Sequence, residues 1–330
     1  MKILITGATG FIGSHLAKQL VNNGCEVYCI VRSKKSNGIL PLDKVKLINA
    51  EFDKIDELSD EYFRQFDYIY HFAGLTKHYD KNEYYKVNCG YTKKLVERLL
   101  KINNLRLKRF VFCSSQAAAG PSADSGELLD ENAQCQPLNS YGKSKFLAEE
   151  YLASVKDKLN YVIIRPPAVF GAAEKDIYTY FKMIKNNIVL YVSKGDLKFS
   201  VVYVRDLVKA TILIAESDKI QSGEIFFVCN SENYTVKEFA LLIAEIMKKQ
   251  PICIGLPLFI VRILGIIQDF ISNILKKPLL LNKEKLNELQ KKYWLCSNSK
   301  FLANFPEFRF TDIKIALFET YEWYKQNNML

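Results

Sequence analysis

The chain opens on a short apolar run, Lys2-Ile3-Leu4-Ile5-Thr6, which passes directly into Gly7-Ala8-Thr9-Gly10-Phe11-Ile12-Gly13 and then into the helical spacing Leu16, Leu20, Val21. An apolar, β-branched run of this kind reads as a strand buried on both faces, as in parallel sheets covered by helices. Small residues between such a strand and a helix let the backbone approach a pyrophosphate. The helix N-terminus adds free N–H groups and a partial positive charge. A tight strand-to-helix turn without a ligand is the other reading of the same residues.

The alternation then repeats. Residues 26–31, 45–48, 68–72 and 109–113 read as further strands, with helical stretches at 57–65 and 83–103 between them. Strands alternating with helices at this spacing imply right-handed crossovers and a parallel sheet. The expected fold is α/β, a Rossmann-type doubly wound parallel sheet with a smaller C-terminal α/β substrate region. The dinucleotide-binding unit is expected over 1–170, also receiving part of 198–230, and 171–330 mainly forms the substrate region. The second strand ends at Arg32-Ser33-Lys34-Lys35, where a cofactor's adenosine ribose would lie. An acid there would accept from a free 2′-hydroxyl, whereas these cations suit a 2′-phosphate. NADP(H) is therefore expected in preference to NAD(H), which stays possible. A solvated basic turn would look the same.

Within Ser140-Tyr141-Gly142-Lys143-Ser144-Lys145, Tyr141 and Lys145 stand four positions apart and rise from one helix face. An ammonium beside a phenol favours the phenolate and brings its proton within reach of acid–base work. In a chain with 19 tyrosines the pair is also a spacing that chance supplies, so its meaning depends on its company.

Composition narrows the partners. The 46 Lys and Arg exceed the 36 Asp and Glu by ten, but they are scattered among acids with no aromatic-interleaved basic stripe, which argues against nucleic acid. An anionic cofactor or substrate accounts for part of the excess. Eight cysteines without a CxxC and three histidines give no metal spacing. Thiols inside apolar runs suit a reducing compartment. The first apolar run meets glycine by Gly7, too soon for a signal peptide, so a cytoplasmic protein is expected.

Thr6-Gly7-x-x-Gly10-x-x-Gly13, His71-x-Ala73-Gly74, Asn88, Ser114-Ser115 and Tyr141-x-x-x-Lys145 follow one another in that order. Together they resemble the extended short-chain dehydrogenase/reductase family of the NAD-dependent epimerase/dehydratase type, nearest its 3β-hydroxysteroid dehydrogenase and dihydroflavonol reductase-like branch. Arg165-Pro166-Pro167-Ala168-Val169-Phe170-Gly171 and Val202-Tyr203-Val204-Arg205-Asp206 match its later segments. The resemblance implies that Ser115 hydrogen-bonds the substrate oxygen, Tyr141 exchanges its proton, and Lys145 holds the nicotinamide ribose and lowers the phenol's pKa. It implies Gly7, Thr9, Gly10, Phe11, Ile12 and Gly13 along the pyrophosphate, and Arg32 and Lys35 at the adenosine ribose. Glu51 (where the family usually has Asp) and Phe52 would lie near the adenine, with Ala73 and Gly74 near its ribose. Pro166, Ala168 and Val169 would line the nicotinamide, and Thr76 and Gln116 would join Tyr141 around the substrate. Asn88 holds architecture rather than performing chemistry. No metal is implied, and a homodimer is expected.

Two stretches stay open. The polar loop from 120 to 137 is a substrate lid or a surface excursion. Residues 252–281 are dominated by Ile, Leu, Phe and Val but interrupted by Pro257, Arg262, Gln268 and Asp269, which argues against a spanning helix. A helix covering an apolar pocket or a dimer seam is the first reading; a peripheral membrane contact through 257–277 is the other.

Nucleotide-sugar members of the family usually carry an Asn in the Arg-Pro-…-Gly segment and an Arg before the Tyr-Val-x-Asp segment, both gripping phosphate. Here those places hold Ala168 and Phe199-Ser200. The expected substrate is therefore an apolar, steroid- or flavonol-like alcohol or ketone that exchanges a hydride with the nicotinamide. A nucleotide-sugar epimerase or dehydratase acting by transient oxidation is the alternative. A catalytically silent cofactor-binding regulator is a third class, against which the intact Ser115, Tyr141 and Lys145 speak.

Overall fold

The computed structural model describes residues 1–32, 37–103, 106–277, 279 and 283–330. Strands β1 (Lys2–Thr6), β2 (Glu26–Val31), β3 (Lys46–Asn49), β4 (Tyr68–His71), β5 (Arg109–Cys113) and β6 (Tyr161–Arg165) come first. After them follow β7 (Ala168–Phe170), β8 (Ile188–Val192), β9 (Lys198–Tyr203), β10 (Glu224–Phe227), β11 (Asn233–Thr235), β12 (Ile252–Leu256) and β13 (Tyr293–Trp294). The main sheet has the order β10-β6-β5-β4-β1-β2-β3, and every pair in it is parallel. Alternate side chains of β1 enter opposite cores. Ile3 and Ile5 pack with Leu16 and Leu20 of the helix Phe11–Asn22 and with Leu207 of the helix Val204–Glu216. Leu4 packs with Leu95 of Tyr91–Leu100 and Leu152 of Ser140–Ser154. Helices on both faces explain why the strands are near-continuously apolar.

β1 lies between β2 and β4, so the chain leaves it in one direction and returns on the other side. The crevice at that switch point, beyond the strand C-termini, is where ligands bind in such sheets. The glycine loop, Ala73-Gly74, Ser114-Ser115 and Pro166–Val169 all follow strands that end there.

The structure departs from the sequence reading in several places. Residues 161–165 form an internal strand that was not expected. β10 extends the main sheet at its edge, beside β6. The helix expected over 83–103 runs from Asn82 to Leu100, with a π-helical turn at Tyr85–Gly90 that carries Asn88 inward. The 57–65 stretch divides into a 3-10 turn, Phe52–Glu57, and the helix Asp60–Arg64, because Leu58 and Ser59 are extended.

In the C-terminal region β9 pairs with β7, β11 and β13, while β8 pairs with β12. Phe170, Phe181, Val201, Phe239 and Tyr324 make its core. The described part of the 252–281 stretch is not one helix. Ile252–Leu256 pairs in parallel with β8, Pro257 is extended, and the helix Leu258–Leu275 follows. Among the described residues no helix is long and apolar enough to cross a membrane. The 120–137 loop is stitched down: Ser122 Oγ accepts from Leu295 N (2.7 Å), Leu129 pairs with Cys296, and the Glu131 carboxylate accepts from Phe227 N (2.8 Å).

Two buried histidines link this packing to pH. His71 lies between Thr6 (2.7 Å) and Thr92 (2.9 Å), and burial, then the Lys145 charge, lowers its pKa to about 3. Burial is also the main cause that lowers His15 to about 4, opposed by its hydrogen bond with the Ala172 carbonyl. Both are neutral when folded, and each binds a proton on unfolding below pH ~6.5. Stability contributed by them is therefore complete above that pH and falls as pH drops, by about 1.4 kcal/mol per unit for each histidine. Urea unfolding at pH 7 and pH 5 is expected to differ by about 3–4 kcal/mol from this source, and His15→Gln to remove about half of it. A pH-independent midpoint over that range would contradict the burial of both rings.

Candidate active site

The glycine loop closes as the spacing requires. Gly7 has a φ of +77°, and a Cβ there would meet the backbone of Phe72 and Ala73 at 2.5 Å. A Cβ at Gly13 would come within 2.2 Å of the Gly7 carbonyl oxygen, so the helix is seated on the loop itself. Its N-cap, Gly10, contributes no side-chain cap, and its first turn holds no acid. The first N–H groups thus stay available to an anion, and a dinucleotide's pyrophosphate fits this cradle. Thr9, Phe11 and Ile12 are half-buried around it and Gly10 is exposed.

At the adenosine end, Arg32 is exposed just past β2, and Lys35 lies outside the described residues. Glu51 is exposed. The Phe52 ring is buried, stacked on Tyr91 at 5.1 Å and edge-on to His71. Only its backbone remains at the strand end, because the ring gains more from the core than from a solvent-facing contact.

The helix Ser140–Ser154, which carries Tyr141 and Lys145, is held by three independent contacts. Asn139 caps it, its Oδ1 accepting from Gly142 N at 2.6 Å. Gly142 lies so close to the Ala117 carbonyl that a Cβ would stand 2.2 Å from the oxygen. Asn88 Nδ2 donates to Ser144 Oγ (2.9 Å) and to the Leu75 carbonyl (3.0 Å), while its Oδ1 accepts from Leu75 N (2.7 Å). Asn88 thereby ties the loop after β4 to the helix bearing Tyr141, an architectural duty as anticipated.

Lys145 is almost completely buried. Its ammonium donates to the Cys113 carbonyl (2.8 Å), lies 4.9 Å from the Phe112 ring centre, and would be 3.0 Å from a Cβ at Gly74. Burial lowers its pKa, with Cys113 and Glu149 opposing. Tyr141 is half-buried, and burial pushes its phenol above the usual tyrosine range, with a hydrogen bond from Ser115 pulling in the other direction. The Lys145 ammonium is directed at the Cys113 carbonyl. Ser115 caps the short helix Gln116–Ala119, its Oγ accepting from Ala117 N at 3.1 Å.

Gln116 is buried with Nε2 unpartnered, whereas Thr76 is exposed. Pro166 is buried, Val169 half-buried and Ala168 exposed, on the segment after β6. Sequence reasoning missed a buried support beneath Ser114. Ser114 Oγ donates to the Glu149 carboxylate, which receives Arg165 Nη2 at 2.5 Å and Nε at 3.0 Å. Only the Arg165 carbon-framed position after an apolar run hinted at it. Also missed were Glu284 and Glu288 of the helix Lys283–Leu289. Glu284 accepts from Ser140 Oγ (2.7 Å) and Glu288 accepts from Asn139, so two carboxylates meet the positive end of the catalytic helix.

The profile of the NAD dependent epimerase/dehydratase family matches residues 3–229. The chain belongs to this family of enzymes, which lies within the extended short-chain dehydrogenase/reductase group. A putative UDP-glucose 4-epimerase of Methanocaldococcus jannaschii is 29% identical over 227 residues, 64% of this chain and 72% of that protein. A ceramide reductase of Caulobacter vibrioides is 24% identical over 324 residues, 98% of this chain and 94% of that protein. Among solved structures, UDP-glucuronic acid 4-epimerase from Bacillus cereus, in complex with UDP-glucuronic acid and NAD, superimposes with a TM-score of 0.78 at 20% identity, over 99% of this chain and 100% of that one. That likeness is one of fold.

Tyr141→Phe is expected to abolish turnover while leaving nicotinamide dinucleotide binding, read by fluorescence titration, within about twofold. Loss of binding would make the phenol structural. In protein without added cofactor, the ultraviolet difference between wild type and Tyr141→Phe should show no phenolate below pH ~10. A phenolate signal near neutrality would contradict the burial of this ring.

Proposed function

We propose that this enzyme interconverts an alcohol and a ketone on an apolar substrate, with net turnover of a nicotinamide cofactor. The carrying observation is the chemistry at two positions. Ala168 offers only a methyl group at the exposed segment after β6. Phe199 packs against Phe239 at 5.6 Å, and Ser200 Oγ is taken up by Asn233 and by Cys296 N (3.0 Å). Neither place holds a cation or amide for a diphosphate, and an apolar residue cannot replace a charge-assisted contact. The near full-length similarity to a protein named ceramide reductase supports this reading.

Bound at the glycine cradle, the nicotinamide dinucleotide supplies or accepts the hydride. Tyr141 Oη gives its proton to the substrate oxygen as the carbinol forms, and takes it back in the reverse direction. Ser115 Oγ orients that oxygen. Lys145, buried beside Gly74, would hold ribose hydroxyls. Arg32 favours NADP(H), although the solved structure named above is a complex with NAD.

The second reading is a nucleotide-sugar 4-epimerase that returns the hydride to the substrate. The fold neighbours and the M. jannaschii relative favour it, and they do so more directly than any of the matches favours a steroid or flavonol. The readings separate cleanly. A screen of sterols, ceramide-like ketones, aryl ketones and sugar nucleotides, followed at the absorbance of the reduced nicotinamide, is expected to show turnover with the apolar ketones alone. Micromolar binding of a UDP-sugar in calorimetry would favour the epimerase. If Arg32 reads a 2′-phosphate, Arg32→Asp should shift the NADP/NAD affinity ratio at least about tenfold toward NAD. An unchanged ratio would remove Arg32 from the site.

A further inference from the structure

The helix Leu258–Leu275 is attached to the molecule by one narrow stripe. Val261 is 2% and Ser272 6% exposed, and Gly265 lies so near Leu286 that a Cβ would come within 2.7 Å of its side chain. These three recur at the spacing of a single helix face. On the opposite face, Phe259, Ile263, Ile266, Phe270 and Ile274 recur at the same spacing and are 54% to 68% exposed. Scattered apolar residues on a surface are ordinary, but a continuous stripe of large ones marks an interaction surface.

Three exposed cations border this stripe. Lys276 and Lys277 are exposed at the end of the helix and Arg262 along its flank. The helix's carboxylate, Asp269, is half-buried and lines a small cavity with Ser272, Lys283 and Tyr84 on the attached side. The strand that leads into the helix continues the pattern, with Ile252 70% and Ile254 40% exposed after exposed Lys248 and Lys249.

We propose that this face docks on a lipid bilayer that carries anionic headgroups, the helix lying in the plane of the interface. An apolar stripe rimmed by cations is what such an interface accepts. A second copy of this chain would bring the same cations, on a protein of net charge +10, to the same seam. The docked helix touches Leu286 of Lys283–Leu289, the helix whose Glu284 and Glu288 meet the N-terminus of the catalytic helix. The bilayer would thus lie one helix away from Tyr141. Docking does not depend on which substrate the enzyme takes.

The test is cosedimentation of the full chain, without substrate, with vesicles of phosphatidylcholine alone and of phosphatidylcholine with phosphatidylglycerol, alongside light scattering of the free protein. The expected result is binding to the anionic vesicles, weakened by salt and reduced at least about tenfold in Ile266→Glu/Phe270→Glu, with cofactor binding and thermal unfolding unchanged. Lys276→Glu/Lys277→Glu should lose the preference for phosphatidylglycerol. Absence of vesicle binding, or a wild-type dimer that Ile266→Glu/Phe270→Glu converts to monomer without any vesicle binding, would overturn the proposal. Equal binding to both vesicle types would overturn the part assigned to anionic headgroups.

Discussion

The contact between Gly142 and the Ala117 carbonyl fixes everything the site does. No side chain fits between them, so the helix Ser140–Ser154 meets the short helix Gln116–Ala119 at backbone distance. That approach brings Tyr141 to Ser115 and drives Lys145 beneath the loop after β4. It also explains why the helix is secured so heavily at its start, by the Asn139 cap, the Asn88–Ser144 bond and two carboxylates from a distant helix. A catalytic pair on a freely sliding helix would lose the sub-ångström placement that acid–base chemistry needs.

The electrostatics beneath the site follow from the same closeness. A buried ammonium is costly unless something accepts its protons, and Lys145 finds the Cys113 carbonyl and the Phe112 ring face. Glu149 and Arg165 neutralise one another under Ser114, so the strand ends are supported by a paired charge rather than an isolated one. His71 remains neutral between two threonine hydroxyls because the Lys145 charge and burial act on it together. Tyr141 keeps its proton for the same reason of burial.

Much of this was legible in the sequence because the governing constraints are local. A β-branched run meeting three glycines specifies strand, turn and helix within 13 residues, and Tyr141 and Lys145 share a face by helix spacing alone. What escaped was non-local. Residues 161–165 pair with β5 and β10 across long crossovers, and nothing in the run itself distinguishes an internal strand from a buried helix segment. The π turn that carries Asn88 inward, the Glu149–Arg165 pair and the carboxylates from 284 and 288 all depend on elements distant in the chain. Phe52 shows a different limit: a motif position gave its place, but burial against Tyr91 decided where its ring points. The 252–281 segment was read as one apolar stretch because Pro257, which separates strand from helix there, was taken only as an interruption.

Tyr141, Ser115 and the glycine cradle lie together in the crevice, and the function proposed for them is net redox turnover of an apolar ketone rather than transient oxidation of a nucleotide sugar. The most direct measurement follows a deuterium label placed on the transferable position of the reduced cofactor. With an apolar ketone as substrate, mass spectrometry is expected to find one deuterium per product molecule on the carbinol carbon, with the cofactor oxidised in equal amount. A UDP-sugar epimerised without net cofactor consumption, while the apolar ketones remain unlabelled and unreduced, would contradict the account.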